Sequence, residues 1–197
     1  MYTVFRCDVT GCRNTAVGTS GKCFRHTLRP AELLGAAVDR LTAAEELMEA
    51  SLPGMPFREV NLAGHSFFAC DFSGSSFTRI DFTGVRIRLC SFEAARFEDC
   101  LFGSSNILFS IFAGARFNEC DFSGSDILHT NFNGIEADSV KFSDSDLYFS
   151  RFVGSTLHRV LFVDCNLKHV SFAAAKRSEV SFRSSNYEEA DFDEGAP

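Results

Sequence analysis

Four residues near the N-terminus have the types and spacing of a metal site. Cys7, Cys12, Cys23 and His26 read C-x4-C-x10-C-x2-H within "CDVTGCRNTAVGTSGKCFRH". Three thiolates and one imidazole form a closed tetrahedral set suited to structural Zn2+, one per chain, and four protein ligands leave no open position for catalysis. Gly11, Gly18 and Gly21 supply the turns a unit this small needs. Arg6, Arg13, Lys22, Arg25 and Arg29 surround it against Asp8 alone. That basic surface is open to two readings, contact with nucleic acid or a solvated face that docks on the acidic segment after it.

No other group of residues has a catalytic layout. Cys70, Cys90, Cys100, Cys120 and Cys165, with Ser75, Ser105, Ser125 and Ser145, recur at one position of a repeat. No nucleophile, base and orienting group converge there. His129, His158 and His169 fall at outward positions, read as scattered between sides. A binding protein rather than an enzyme is expected.

The positioning element is the repeat itself. From Leu62 to Phe192, stepping by five visits 27 positions, and seventeen are Phe. Most others are Ile or Leu; the exceptions are Ala137, Arg177 and Tyr187. Two residues before each lies a position that, His65 apart, is small or β-branched from Val60 to Ala190. A period of five fits neither the helix at 3.6 nor the strand at 2. One large and one small residue per five pointing inward is a solenoid signature.

The pattern resembles the pentapeptide-repeat family, whose motif here reads Cys120-Asp121-Phe122-Ser123-Gly124. The resemblance implies an all-β solenoid, a right-handed quadrilateral parallel β-helix in which four pentapeptides make one coil and residues twenty apart stack. Coils ~4.8 Å apart and 27 pentapeptides, about 6.75 coils, give a rod roughly 30 Å long. The columns Phe82 to Phe182 and Phe72 to Phe192 at steps of twenty support that period independently. Cys100 and Cys120 then stack across one coil, close enough to bridge if oxidised, and are expected as free thiols. The N-terminal unit resembles short Cys3His zinc knuckles.

Three regions follow: 1–29 a zinc knuckle, 30–56 a capping helix and linker, and 57–197 the β-helix. Pro30 to Ala50 reads as a helix with an apolar stripe of Leu33, Leu34, Val38, Leu41, Leu47 and Met48. It covers the open N-terminal coil. The C-terminus offers no such cap, so Tyr187 and Phe192 are expected exposed, either on a fraying coil or in a homodimer contact.

Reading at steps of twenty gives the outward columns. Leu89, Leu108, Phe109, Leu128, Tyr148 and Phe149 form a contiguous apolar patch with His129 inside it, a candidate protein-binding face. Another side carries Glu98, Asp99, Glu119, Glu136 and Asp138 among Arg79, Arg96, Arg116 and Arg159. The family resemblance implies a function for such acids: rods that mimic B-form DNA, bind DNA gyrase or topoisomerase IV, and protect the enzyme from quinolones or other poisons. The alternative is an interaction scaffold using the aromatic face. The net charge of -7 argues against direct nucleic-acid binding. With no signal-peptide layout and no long apolar run, a cytoplasmic, membrane-free protein is expected.

Overall fold

The computed structural model describes residues 5–193. A 3-10 turn, Phe24–His26, closes the N-terminal unit, and helix α1 follows at Pro30–Ala43. Twelve three-residue strands come next, each with its central residue pointing inward: β1 Glu46–Met48, β2 Pro56–Arg58, β3 Ser66–Phe68, β4 Ser76–Thr78, β5 Arg86–Arg88, β6 Arg96–Glu98, β7 Asn106–Leu108, β8 Arg116–Asn118, β9 Asp126–Leu128, β10 Glu136–Asp138, β11 Thr156–His158 and β12 Lys176–Ser178. They form two parallel sheets, β1-β3-β5-β7-β9 and β2-β4-β6-β8-β10-β11-β12. Every pairing joins residues twenty apart, as Ile107 with Ile127 and Phe97 with Phe117. The two remaining sides are joined by single parallel bridges at the same step, such as Leu101 with Asp121. The four-sided parallel β-helix is therefore the observed architecture.

The helix is shorter than the apolar stripe suggested. It stops at Ala43, and Leu47 is the buried centre of β1 rather than a helical residue. The reason lies in the repeat: Leu47, Leu52 and Phe57 keep the five-residue step and are all buried. The coil thus begins at Glu46, ahead of the expected 57. Inside the shortened helix, Ala37 and Leu41 are buried against this first coil, with Leu33, Leu34 and Val38 partly buried beside them. α1 covers rings and backbone that an open solenoid end would expose.

The interior holds two long ring stacks at right angles, and a third, shorter stack of Phe57, Phe77, Phe97 and Phe117 lies beside them. Phe82, Phe102, Phe122, Phe142, Phe162 and Phe182 stack with centroids 4.6, 4.3, 4.9, 5.1 and 5.3 Å apart. The Phe72-to-Phe192 column meets it edge to face, as at Phe142 and Phe152, where the planes lie at 84°. Both geometries are favourable for phenyl quadrupoles.

The small inward position has a polar task that periodicity did not reveal. Ser125 Oγ donates to the Phe102 carbonyl at 2.9 Å and accepts from the Ser105 N–H at 3.0 Å. Ser145 repeats the pattern one coil on. Hydroxyls here satisfy backbone groups that lie deep inside the coil. Cys100, Cys120 and Cys165 occupy the same slot as buried free thiols, and Cys100 and Cys120 are neighbours as expected. The adjoining Cys100 thiol, and then burial, push Cys120 up; burial holds Cys165 at about 11. Neither is poised as a thiolate nucleophile.

Candidate functional site

Cys7, Cys12, Cys23 and His26 converge: their ligand atoms all lie within 4.8 Å of one another. Two local devices bring them together. Cys7 and Cys12 flank a turn in which the Cys12 N–H donates to the Val9 carbonyl at 2.9 Å. The 3-10 turn, closed by the His26 N–H on the Cys23 carbonyl, sets Cys23 and His26 on one side. Gly21 has φ +69°, and a Cβ there would lie 3.1 Å from Asp8 Oδ2, so its lack of a side chain is used.

The donor spacing fits a tetrahedral ion. Cys12 Sγ and Cys23 Sγ are 3.9 Å apart, and His26 Nδ1 lies 3.3 Å from Cys7 Sγ and 3.5 Å from Cys23 Sγ. Tetrahedral bonds of zinc length give edges of about 3.8 Å for S–S and 3.5 Å for S–N. Burial pushes the Cys7 thiol up, but hydrogen bonds from the Cys23 and Val9 backbone and from His26 bring it down to about 6. Cys12 goes the other way: the Asn14 backbone favours its thiolate, but burial and the Cys7 and Cys23 sulfurs outweigh it. Without a cation, one thiolate in this cluster resists the next, and a bound metal removes that conflict. The unit is tied to the coil by the Gly18 N–H on the Ser51 carbonyl at 3.2 Å, and Val17 joins the core.

The predicted aromatic face is continuous, and it extends one residue further than the sequence indicated. Phe109, His129 and Phe149 stack nearly parallel, with centroids 5.0 and 5.2 Å apart. His169 continues the stack 4.6 Å from Phe149. His129 and His169 thus share one column, contrary to the scattered placement; only His158 lies elsewhere, on β11. The step of twenty itself places Leu89, Phe109, His129, Phe149 and His169 in one outward column, in line with this ladder. Leu89 lies at its N-terminal end, and Leu108, Leu128 and Tyr148 form a half-buried flank.

The ladder is exposed and conformationally costly. Leu89, Phe109 and Phe149 are 52%, 56% and 43% exposed. All five residues from Leu89 to His169 have φ between 51° and 60°. Bulky side chains in the left-handed region cost about 1–2 kcal/mol each. The same place is left-handed on every side of the coil, held by glycine at Gly114 and Gly134 but by Glu59, Arg79, Asp99, Glu119 and Arg159 on the side of the longer sheet.

The acidic side is less uniform than its residue types imply. Glu98 lies on β6, and Glu136 and Asp138 lie on β10. Arg116 reaches Glu136 at 3.1 Å and Arg159 reaches Asp138 at 2.7 Å. The Arg159 guanidinium holds the Asp138 carboxyl below its usual range. Among the described residues, Glu98, Asp99 and Glu119 take part in no ion pair. At the far end, Tyr187 is exposed, but Phe192 is half-buried rather than open: it stacks on Phe172 at 5.0 Å, under the Arg177 guanidinium. The core column continues to the last coil, which is why that ring is covered.

The family profile described as "Pentapeptide repeat region" matches residues 50–127 and 115–192. The chain belongs to the pentapeptide repeat family. Among solved structures, it is similar to QnrB1, described as a plasmid-mediated fluoroquinolone resistance protein, at 17% identity over 79% of this chain and 86% of that one, with a TM-score of 0.47. It is also similar to a pentapeptide repeat protein from the thylakoid lumen of Arabidopsis thaliana, at 20% identity over 61% of this chain and 66% of that one, with a TM-score of 0.37. No curated protein matches the chain in sequence. Among the described residues of this pentapeptide repeat chain, no helix is long and apolar enough to cross a membrane.

Proposed function

We propose that the chain is a non-catalytic rod that acts by binding protein through the Leu89–His169 face, with a zinc-held knuckle and α1 closing its N-terminal end. The observation that carries this reading is the exposed ring ladder. Isolated surface apolar residues are ordinary, but a contiguous exposed apolar patch on one side marks a contact surface. Four donors within 4.8 Å of one another, three of their separations being 3.3–3.9 Å, support zinc as a structural ion. Phe109→Asp combined with Phe149→Asp is expected to leave the melting temperature of the coil within a few degrees and to abolish association with protein. Association as tight as in the unaltered chain would reject the reading.

A second reading makes the partner a type II topoisomerase, DNA gyrase or topoisomerase IV, held through the acidic side as a duplex substitute. It is favoured by Glu98, Asp99 and Glu119, which project without ion-pair partners on neighbouring coils. It is weakened by the arginines that occupy Glu136 and Asp138. A gyrase supercoiling assay decides it: neither inhibition nor drug protection at micromolar protein would end that reading.

A further inference from the structure

We infer that the occupant of the ladder face is a second copy of this chain, packed side by side and antiparallel about a two-fold axis at the level of residue 138. The inference rests on the ladder being a protein-binding face. It comes from the order of residues along two columns twenty apart: Arg88, Leu108, Leu128, Tyr148, Lys168, Glu188, and Leu89, Phe109, His129, Phe149, His169, Glu189.

An axis lying in the face and perpendicular to the rod keeps each column opposite itself and reverses its order. Centred midway between the coils of His129 and Phe149, it sets Phe109 against His169 and His129 against Phe149 of the other copy. Each imidazole then meets a phenyl ring. Leu128 meets Tyr148, and the Lys168 stem covers Leu108. At the ends, Arg88 meets Glu188, and both are exposed with no ion pair among the described residues. Moving the axis by half a coil, onto His129, sets Arg88 against Lys168 and His129 against itself, so like charges oppose. The one mismatch in the first register is Leu89 against Glu189, a carboxylate that Lys168 of its own chain reaches at 3.5 Å. With the axis on Phe149 instead, Leu108 and Phe109 meet Glu188 and Glu189, so the face is most nearly self-complementary in the first register.

From Arg88 to Glu188 the contact spans five coil steps, roughly 24 Å along the rod at ~4.8 Å per step. It is smaller than a standard interface, so the dimer is expected to be weak, on the order of micromolar. Sedimentation equilibrium of the full chain with its metal, up to about 300 µM, tests it. The unaltered chain should dimerise. Arg88→Glu and Glu188→Arg should each weaken the dimer at least about tenfold, because the two-fold counts every clash twice. The double variant, with the charges exchanged, should recover it. Both positions are exposed, so the folded coil is retained in each variant. A chain that stays monomeric throughout overturns the second copy as occupant, whereas the face itself stands or falls with Phe109→Asp/Phe149→Asp. A dimer that neither reversal weakens, that the exchange does not restore, or that only Tyr187→Asp breaks would overturn the side-by-side arrangement.

Discussion

Replacing Cys7 by Ser is expected to take the metal from one ion per chain to none and to unfold the N-terminal knuckle. The effect is large because so little else holds this unit. Among its described residues, only Cys7, Ala16, Val17 and Cys23 are buried hydrophobics. A segment of that size cannot offset its own conformational entropy from core burial. Structural zinc contributes about 10–16 kcal/mol of apparent binding energy in units of this kind. Losing one thiolate leaves three donors and removes most of it. Elemental analysis together with proteolysis of the first 29 residues measures the outcome. The coil should survive, because the knuckle is joined to it mainly through Val17 and the single Gly18-to-Ser51 hydrogen bond. A native protein that binds no zinc, or a Cys7→Ser variant with full zinc content, would overturn the metal assignment.

Phe122→Ala is expected to cost the coil about 3–5 kcal/mol in urea denaturation. Phe122 is fully buried and lies 4.3 Å from Phe102 and 4.9 Å from Phe142, with Phe117 and Phe132 edge-on beside it. Backbone ladders on both sides prevent the coil from collapsing into the void, so the full cavity cost is felt. A solenoid is held by neighbour-to-neighbour contacts. A gap in the middle coil should therefore also broaden the transition. Phe109→Ala is the control. Its ring is mostly solvent-facing, and removing it should cost less than about 1 kcal/mol. Equal losses at the two sites would contradict the division into core and surface rings.

The coil was legible in the sequence because its constraint is strict. Every coil needs four large and four small inward residues, and one slip would turn the Phe column outward. The convergence of Cys7, Cys12, Cys23 and His26 was legible for a similar reason, since their side chains have few other uses at that spacing. What was hidden depended on competition between patterns. Leu47 fits both the helical stripe and the five-residue step, and the coil wins because Leu52 and Phe57 continue it. The Ser125 hydroxyl looks like a small space-filler until the carbonyl of Phe102 is placed beneath it. The neutralisation of Glu136 and Asp138 depends on how arginines one coil away extend, which side-chain order alone does not fix. Phe192 is covered only because Phe172 and Arg177 both reach it.

The central claim is that the ladder face, rather than any apolar surface residue, is where this rod meets protein. A photo-cross-linking phenylalanine analogue placed at 149 tests it directly, with the same analogue at 101 as the comparison. Leu101 is 50% exposed, much like Phe149, but lies on a different side of the coil. Irradiation should yield a discrete protein adduct from position 149, at twice the chain mass where the partner is a second copy, and none from 101. No adduct at 149, or equal adducts at both positions, would contradict the claim.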